Sequence, residues 1–388
     1  MPQSNSEPIS SSSSSRGMLP ILKVIGLGGG GQNAIDRMIE LGMMGVDFIA
    51  ANSDAQVLRN SLAPVKIQLG PKVTHGQGAG GDPTLGEFSA EESYQELQDA
   101  LRGADMVFLT CGMGGGTGTG AIPVAANIAK EQGAVVVAVV TTPFSFEMGR
   151  RQANARAGIA KLRPYTDTMI TVSNDRLLQI APKDLPLEMA FRLADDILRQ
   201  GIQGISELVY QPGLINVDFS HIRNVLKHGG RSLISIGTGS GENRISDAVE
   251  YALHHPMLEN IPLENTNAVI ANFTSGDDLP FHEVVEALQK LHARTGDQAQ
   301  LIPGVIRDPR MEERVQVILV LTGLDSTPES RESIRQSQPA TFNPDIDPTP
   351  VETAFPFLMQ EPNPDHSLET TELQSEIEVP TFIRRRLV

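Results

Sequence analysis

The sequence predicts an α/β protein: a mostly parallel sheet with helices on both faces, then one long helix, then a smaller α+β domain. Three observations carry this. From residue 21 to about 186, short apolar stretches alternate with helical periodicity, the pattern of successive strand–helix units. Residues 134–141 are apolar almost throughout, as a strand buried on both faces is. From 187 to about 209 a single apolar stripe runs through Leu193, Ile197, Leu198, Ile202, Ile205, Leu208 and Val209, which at about 1.5 Å per residue makes a helix of roughly 30 Å.

Taken in order, residues 1–18 are Ser-rich, with an unbroken serine run at 10–15, and hold too little apolar surface to fold, so they read as a disordered arm. The first domain spans 19–186. Residues 22–26 form a strand, Gly28 to Gly31 follow it, and Ile35, Met38 and Ile39 mark a helix. A second strand, 105–110, runs into Gly114-Gly115-Gly116-Thr117-Gly118-Thr119-Gly120 and a helix over 121–130; strands at 134–141 and 168–173 complete the reading. The long helix occupies 187–211. In the second domain, 212–325, strands are expected at 232–237, 268–274, 300–306 and 315–324, with helices near 242–254 and 281–295. Residues 326–376 are acidic and interrupted by prolines, a linker, and 377–388 end the chain in an apolar and basic peptide.

Composition narrows the function. A net charge of -16 and a pI near 4.9 disfavour a nucleic-acid partner, because phosphate contacts need clustered Lys and Arg. The single cysteine, Cys111, excludes an internal disulfide and a cysteine metal cage and reads as a small core residue. The longest strongly apolar run, 134–140, is too short to cross a bilayer, and no secretory segment follows the start, so a cytoplasmic protein without membrane insertion is expected.

The seven-residue Gly/Thr run is longer than a strand-to-helix turn needs. Glycine tolerates positive φ, free backbone N–H groups can face an anion, and the helix that follows offers its positive end to the same spot. Gly26, Gly28 and Gly31 fit the G-x-G-x-x-G dinucleotide fingerprint of Rossmann-like domains, weak evidence alone. A nicotinamide-dependent oxidoreductase would use this first run and has no use for the second. Two phosphate loops in one domain point instead to a triphosphate.

The run 114–120 resembles the tubulin/FtsZ signature GGGTG[S/T]G, and its surroundings resemble bacterial FtsZ proteins. The other matching segments are Ala51-Asn-Ser-Asp-Ala-Gln56, Gly78-Ala-Gly-Gly-Asp-Pro83, Pro143-Phe-Ser-Phe-Glu147 with Arg151, Ser173-Asn-Asp-Arg-Leu177 and Pro212-Gly-Leu-Ile-Asn-Val-Asp-Phe219. The similarity runs from about 22 to about 324 and resumes in the last dozen residues. It implies the tubulin/FtsZ fold, GTP or GDP as ligand with Mg2+ alongside GTP, a head-to-tail homopolymer, and a GTPase of bacterial cell division in the cytoplasm at the division site (the Z-ring).

The resemblance also assigns residues. Phosphates fall to Gly28, Gly29, Gly30, Gly31, Gln32 and Asn33 in the first loop, and to Gly112, Met113, Gly114, Gly115, Gly116, Thr117, Gly118, Thr119 and Gly120 in the second. Asn52, Gly80 and Gly81 flank them, and Gln32 departs from the commoner Gly, Ser or Asn. Glu147 and Arg151 fall to ribose and phosphates, Asn174 to ribose and base. Asp196 falls to the guanine N1–H and amino donors and Phe191 to the ring face; by residue type alone they read equally as a surface acid and a core aromatic.

Asn216 and Asp218 follow the far end of the long helix, too distant to reach a nucleotide in the same subunit. The resemblance makes them the loop that completes the neighbouring subunit's site, with an open filament as the consequence. Where the family reads Asn-x-Asp-x-x-Asp, this chain has His221 for the second acid, so hydrolysis is expected to be slow. Asp218 also reads as a helix N-cap. A GTP-binding scaffold with little or no turnover, assembling with a second homologue, is the alternative. Residues 379–386, Val-Pro-Thr-Phe-Ile-Arg-Arg-Arg, resemble the FtsZ tail peptide and imply a membrane-tethering partner of the FtsA type; a solvated charged tail is the simpler reading.

Overall fold

The computed structural model describes residues 19–147, 149–180, 186–211, 213, 217–255, 258, 263–296 and 299–324. The Ser-rich arm, the linker, the tail peptide and Asn216 lie outside the described residues.

The first strands and helices are β1 (Leu22–Leu27), α1 (Gly28–Glu40), β2 (Asp47–Asn52), α2 (Ala55–Arg59), β3 (Val65–Gln68), α3 (Pro83–Glu92), α4 (Tyr94–Leu101), β4 (Met106–Gly112) and α5 (Thr117–Glu131). There follow β5 (Val135–Thr142), α6 (Arg150–Leu162), β6 (Thr168–Ser173), α7 (Asn174–Ile180) and the long α8 (Leu187–Tyr210). Beyond it lie α9 (Phe219–Lys227), β7 (Gly230–Ser240), α10 (Arg244–Leu253), β8 (Ala268–Ser275), α11 (Phe281–Thr295), β9 (Gln300–Arg307) and β10 (Arg314–Thr322).

The strands form one sheet in the order β3-β2-β1-β4-β5-β6-β7-β10-β8-β9. It is parallel from β3 through β7; β10 pairs antiparallel with β7 and β8, and β9 parallel with β8. The two domains read from the sequence therefore share a sheet. Strand β7 is the joint: Gly230 to Ser232 pair with β6, and Leu233 to Ser240 with β10.

Alternation along the strands builds a core on each face. In β4, Met106 and Phe108 face α1 and α8, while Val107, Leu109 and Cys111 face α4 and α5; in β5, Val135, Val137 and Val139 take the first side and Val136, Ala138 and Val140 the second. Leu233, Phe273, Val317 and Leu319 form a third core with α10 and α11.

Helix α8 lies along the first face. Ile197, Leu198, Ile202, Ile205 and Leu208 are buried on it, and Leu193 and Val209 are partly buried. Its interior glycines, each costing about 1 kcal/mol of helix propensity, are explained by contact. A Cβ on Gly204 would sit 2.9 Å from Ile318 Cγ2, and one on Gly201 3.0 Å from Ile234 Cδ1. The helix thus spans the parallel and antiparallel parts of the sheet, over about 36 Å at 1.5 Å per residue.

Candidate nucleotide site

The glycine runs are not loops ahead of helices. They are largely the first turns of the helices themselves: α1 begins at Gly28, and α5 at Thr117 rather than at the expected 121. Both helices start at the carboxyl ends of adjacent parallel strands, β1 and β4, so two positive helix ends meet at one point. That point opens on a cavity of about 470 Å³ lined by Leu27, Gly28, Gly29, Gly30, Asn33, Gly112, Met113, Gly115, Gly116, Thr117, Gly118, Thr141, Pro143, Glu147, Arg151, Asn174, Phe191, Ala194 and Asp195.

The glycines divide by task. Gly28 (φ +68°) and Gly114 (φ +103°) occupy conformations that L side chains avoid. Gly116 and Gly118 do not; they are needed for packing. A Cβ on Gly116 would lie 2.9 Å from Asp82 N, and one on Gly118 2.8 Å from Leu27 O. Gly31 is pressed against β4, where a Cβ would stand 2.3 Å from Thr110 O, and Gly120 against α3, 2.0 Å from Pro83 O. Gly29 and Gly115 differ again, because a Cβ on either would meet nothing within 4 Å. Both line the cavity, and such a Cβ would fill its cradle.

Several expected contacts lie away from the cavity, each for a visible reason. Gln32 is buried and donates to Val57 O at 2.9 Å, and Asn52 Nδ2 donates to Gln32 Oε1 at 3.5 Å, so this pair ties α1 to β2 and α2. Thr119 Oγ1 accepts the Gly114 N–H at 2.8 Å and braces the turn. Thr117 lines the cavity with its hydroxyl 2.5 Å from Ser53 Oγ. Gly31, Gly114 and Gly120 are structural neighbours of the site, and Gly80 and Gly81 shape the approach to α3 with φ of +55° and +79°.

At the rim, Glu147 accepts the Phe144 N–H at 2.8 Å and pairs with Arg151, whose side chain remains 57% exposed. A guanidinium held this way can turn its donors to phosphate oxygens. Asn174, at the start of α7, is buried, and its Oδ1 has no hydrogen-bond partner among the described residues. An unsatisfied buried acceptor in a cavity wall needs a donor, and a nucleotide supplies one. Phe191 forms the wall at the start of α8, its ring edge-on to Phe144 at 5.4 Å.

Of the two adjacent carboxylates of α8, the one that lines the cavity is Asp195. Asp196, the residue expected at the base, turns along α8 instead, where it accepts from Arg199 at 2.8 Å and from Gln200 at 2.5 Å. Burial pushes the Asp195 carboxyl up to about 7; Arg37 opposes the rise and Asp196 adds to it. Leu27, Thr141 and Ala194, not singled out, also line the cavity, as does Pro143, which was read only as part of a matching segment. Thr141 and Pro143 sit at the end of β5, and strand ends beside a Gly loop are the signal that could have found them.

Asp218 and His221 lie beyond the other end of α8. From Asp195 to Tyr210 the helix rises about 22 Å, which separates them from the cavity of their own chain. Asp218 stands at the N-cap position of α9, but its side chain makes no capping bond; its carbonyl accepts from His221 N at 2.9 Å. The carboxylate is exposed and His221 half-buried one turn on.

Two family models match the chain: the GTPase domain of the tubulin/FtsZ family over residues 21–182 and the C-terminal domain of the FtsZ family over 230–325. Among solved structures, an FtsZ dimer of M. jannaschii is 40% identical with a TM-score of 0.77, the match covering 80% of this chain and 90% of that one. A point mutant of M. jannaschii FtsZ is also 40% identical, with a TM-score of 0.76 over 79% and 92% of the two chains. CetZ2 from Haloferax volcanii, in a GTPγS-bound protofilament, shares the fold at 20% identity, with a TM-score of 0.66 over 81% and 98%.

Proposed function

Because the chain belongs to the tubulin/FtsZ family of GTPases, we propose that it polymerises head to tail, hydrolyses GTP between successive copies, and forms the cytoskeletal filament of bacterial cell division at the Z-ring. The observation that carries this is the separation along α8. The cavity lies beside one end, and Asp218 and His221 follow the other, so the two meet only when copies stack.

In this reading the triphosphate lies over Gly28 to Gly30 and Gly115 to Gly118, against the starts of α1 and α5, with Arg151 on its outer oxygens. The base lies between Phe191 and Asn174. Asp195 faces its donors directly, and Asp196 joins only by leaving Arg199. Mg2+ would arrive with the triphosphate and would offset its charge; among the described residues no three His, Cys, Asp or Glu side chains converge as a metal cage. Water positioned by Asn216 and Asp218 of the next copy attacks the γ-phosphorus, the bond to the β,γ-bridging oxygen breaks, and GDP and phosphate leave. His221 can accept or orient a proton but brings no negative charge, so turnover is slow. That substitution also favours a second reading, a GTP-binding scaffold with little hydrolysis.

The remaining parts follow. No described helix is long and apolar enough to cross a membrane, and we assign membrane attachment to the tail peptide at 377–388, docking on an FtsA-type partner in the cytoplasm. Phosphate release measured alongside sedimentation, with GTP, GDP and a non-hydrolysable analogue, tests the whole. Filaments should form with GTP and the analogue, and release per subunit should rise with protein concentration. Filaments without phosphate release would leave the scaffold; release per subunit independent of concentration would remove the shared site.

A further inference from the structure

An acidic pair of helices, α3 and α4, and a basic helix, α6, pack on α5. Residues 83–101, covering α3 and α4, carry five acids (Glu87, Glu91, Glu92, Glu96 and Asp99) and no Lys or Arg. Residues 149–164, covering α6, carry five bases (Arg150, Arg151, Arg156, Lys161 and Arg163) and no acid. In a chain of net charge -16 such a basic block stands out. Helices α3 and α6 run in the same direction: Asn154 reaches Gly81 O at 3.3 Å near their starts, and Lys161 pairs with Glu87 at 2.5 Å one to two turns on.

Four of these ten charges are not used within the subunit. Among the described residues, Glu91, Glu96, Arg150 and Arg156 have no ion-pair partner, and all four are exposed. Between the acids, on the outward side of α3, stands Phe88, 53% exposed. The residues exposed between the arginines of α6 are Ala153, Ala157 and Ala160, so an aromatic ring laid there meets no bulky side chain.

We propose that this face pairs two copies of the chain about a two-fold axis running between α3 and α6. The rotation sets α6 of each copy on α3 and α4 of the other, so every acidic strip meets a basic one and Phe88 of each lies on the partner's α6. A rotation about the perpendicular in-plane axis would oppose like charges and is disfavoured. Phe88 supplies the buried centre and the charges the rim, the usual division in a specific contact. Apart from Arg151, none of these side chains lines the nucleotide cavity or neighbours Asp218, so the contact leaves both ends of the subunit open. It joins copies side by side, whether or not they also stack.

Sedimentation velocity of the full-length chain with GDP tests this. A dimer should be present at low salt and dissociate toward 0.5–1 M salt, where the screening length falls to roughly 3–5 Å. Glu91→Arg and Arg156→Glu should each weaken it by about tenfold or more, since the symmetry counts each reversal twice, and the double variant should regain wild-type affinity. Phe88→Ala, which changes no charge, should weaken it too, with melting temperature and nucleotide binding retained in all four. A dimer indifferent to both reversals is head-to-tail association and overturns the proposal, as does a double variant no better than the singles.

Discussion

Replacing Gly115 and Gly120 by alanine should produce opposite defects, although they lie five residues apart in one motif. Gly115 lines the cavity and a Cβ on it meets nothing within 4 Å, so Gly115→Ala should leave the melting temperature within about 1 °C of wild type. It should weaken GTP binding at least about tenfold, because the methyl occupies the space that a phosphate oxygen must approach. A Cβ on Gly120 would lie 2.0 Å from Pro83 O and 2.5 Å from Glu87 N, both backbone atoms of α3. Helix α3 must then move by more than 1 Å. Overpacking of this kind costs about 3 kcal/mol, offset by about 1 kcal/mol of helix propensity gained over glycine. The net loss of about 2 kcal/mol corresponds to a fall of roughly 4–8 °C. Differential scanning calorimetry and fluorescent-nucleotide titration of both variants read the two effects separately. If Gly115→Ala binds GTP as tightly as wild type, the cavity between α1 and α5 is not the phosphate cradle.

Other predictions address the remaining groups. His221→Asp should accelerate phosphate release by about tenfold or more without changing the affinity for GTP; an unchanged rate would show that Asp218 suffices. Asp195 is held above its unfolded carboxyl pKa near 4, so its contribution to stability is complete below pH 4 and is lost as pH rises through about 7, with a slope of at most about 1.4 kcal/mol per pH unit. Asp195→Asn should therefore lose less melting temperature than wild type between pH 5 and pH 8, and equal losses would place that titration elsewhere. Removing residues after 376 should leave nucleotide binding and sedimentation intact and eliminate capture of an FtsA-type partner; undiminished capture would make the tail passive.

Much of this architecture is legible in the sequence because it rests on apolar pattern. Strand β5 and helices α8 and α11 stand within a residue or two of where periodicity puts them. The start of α5 was not legible. Gly118, Thr119 and Gly120 are poor helix formers, and they are helical where the ends of β1 and β4 close on Gly118 and α3 packs on Gly120 at backbone distance, contacts that local propensity cannot report. The same holds for Gln32 and Thr119, polar residues in a phosphate motif whose partners are internal: Val57 O lies 25 residues away, and the Gly114 N–H sits across a turn. Asp195 and Asp196 show the limit most clearly. Neighbours on a helix point about 100° apart, and only the placement of α8 against the sheet decides which carboxylate meets the cavity. The continuity of the sheet through β7 was equally hidden, since one strand serves two partners along its length.

The central claim is that each active site is built from two copies, and complementation tests it directly. Gly115→Val should fill the cradle and abolish GTP binding while leaving Asp218 in place. Asp218→Ala should bind GTP but offer its neighbour no carboxylate. Each variant alone should release no phosphate above background. Mixed, the pocket of the Asp218→Ala copy faces the intact Asp218 of the other, and release should return to a measurable fraction of the wild-type rate, rising with total protein. A mixture as inactive as its parts, with both variants folded and co-sedimenting, would contradict a site shared between copies.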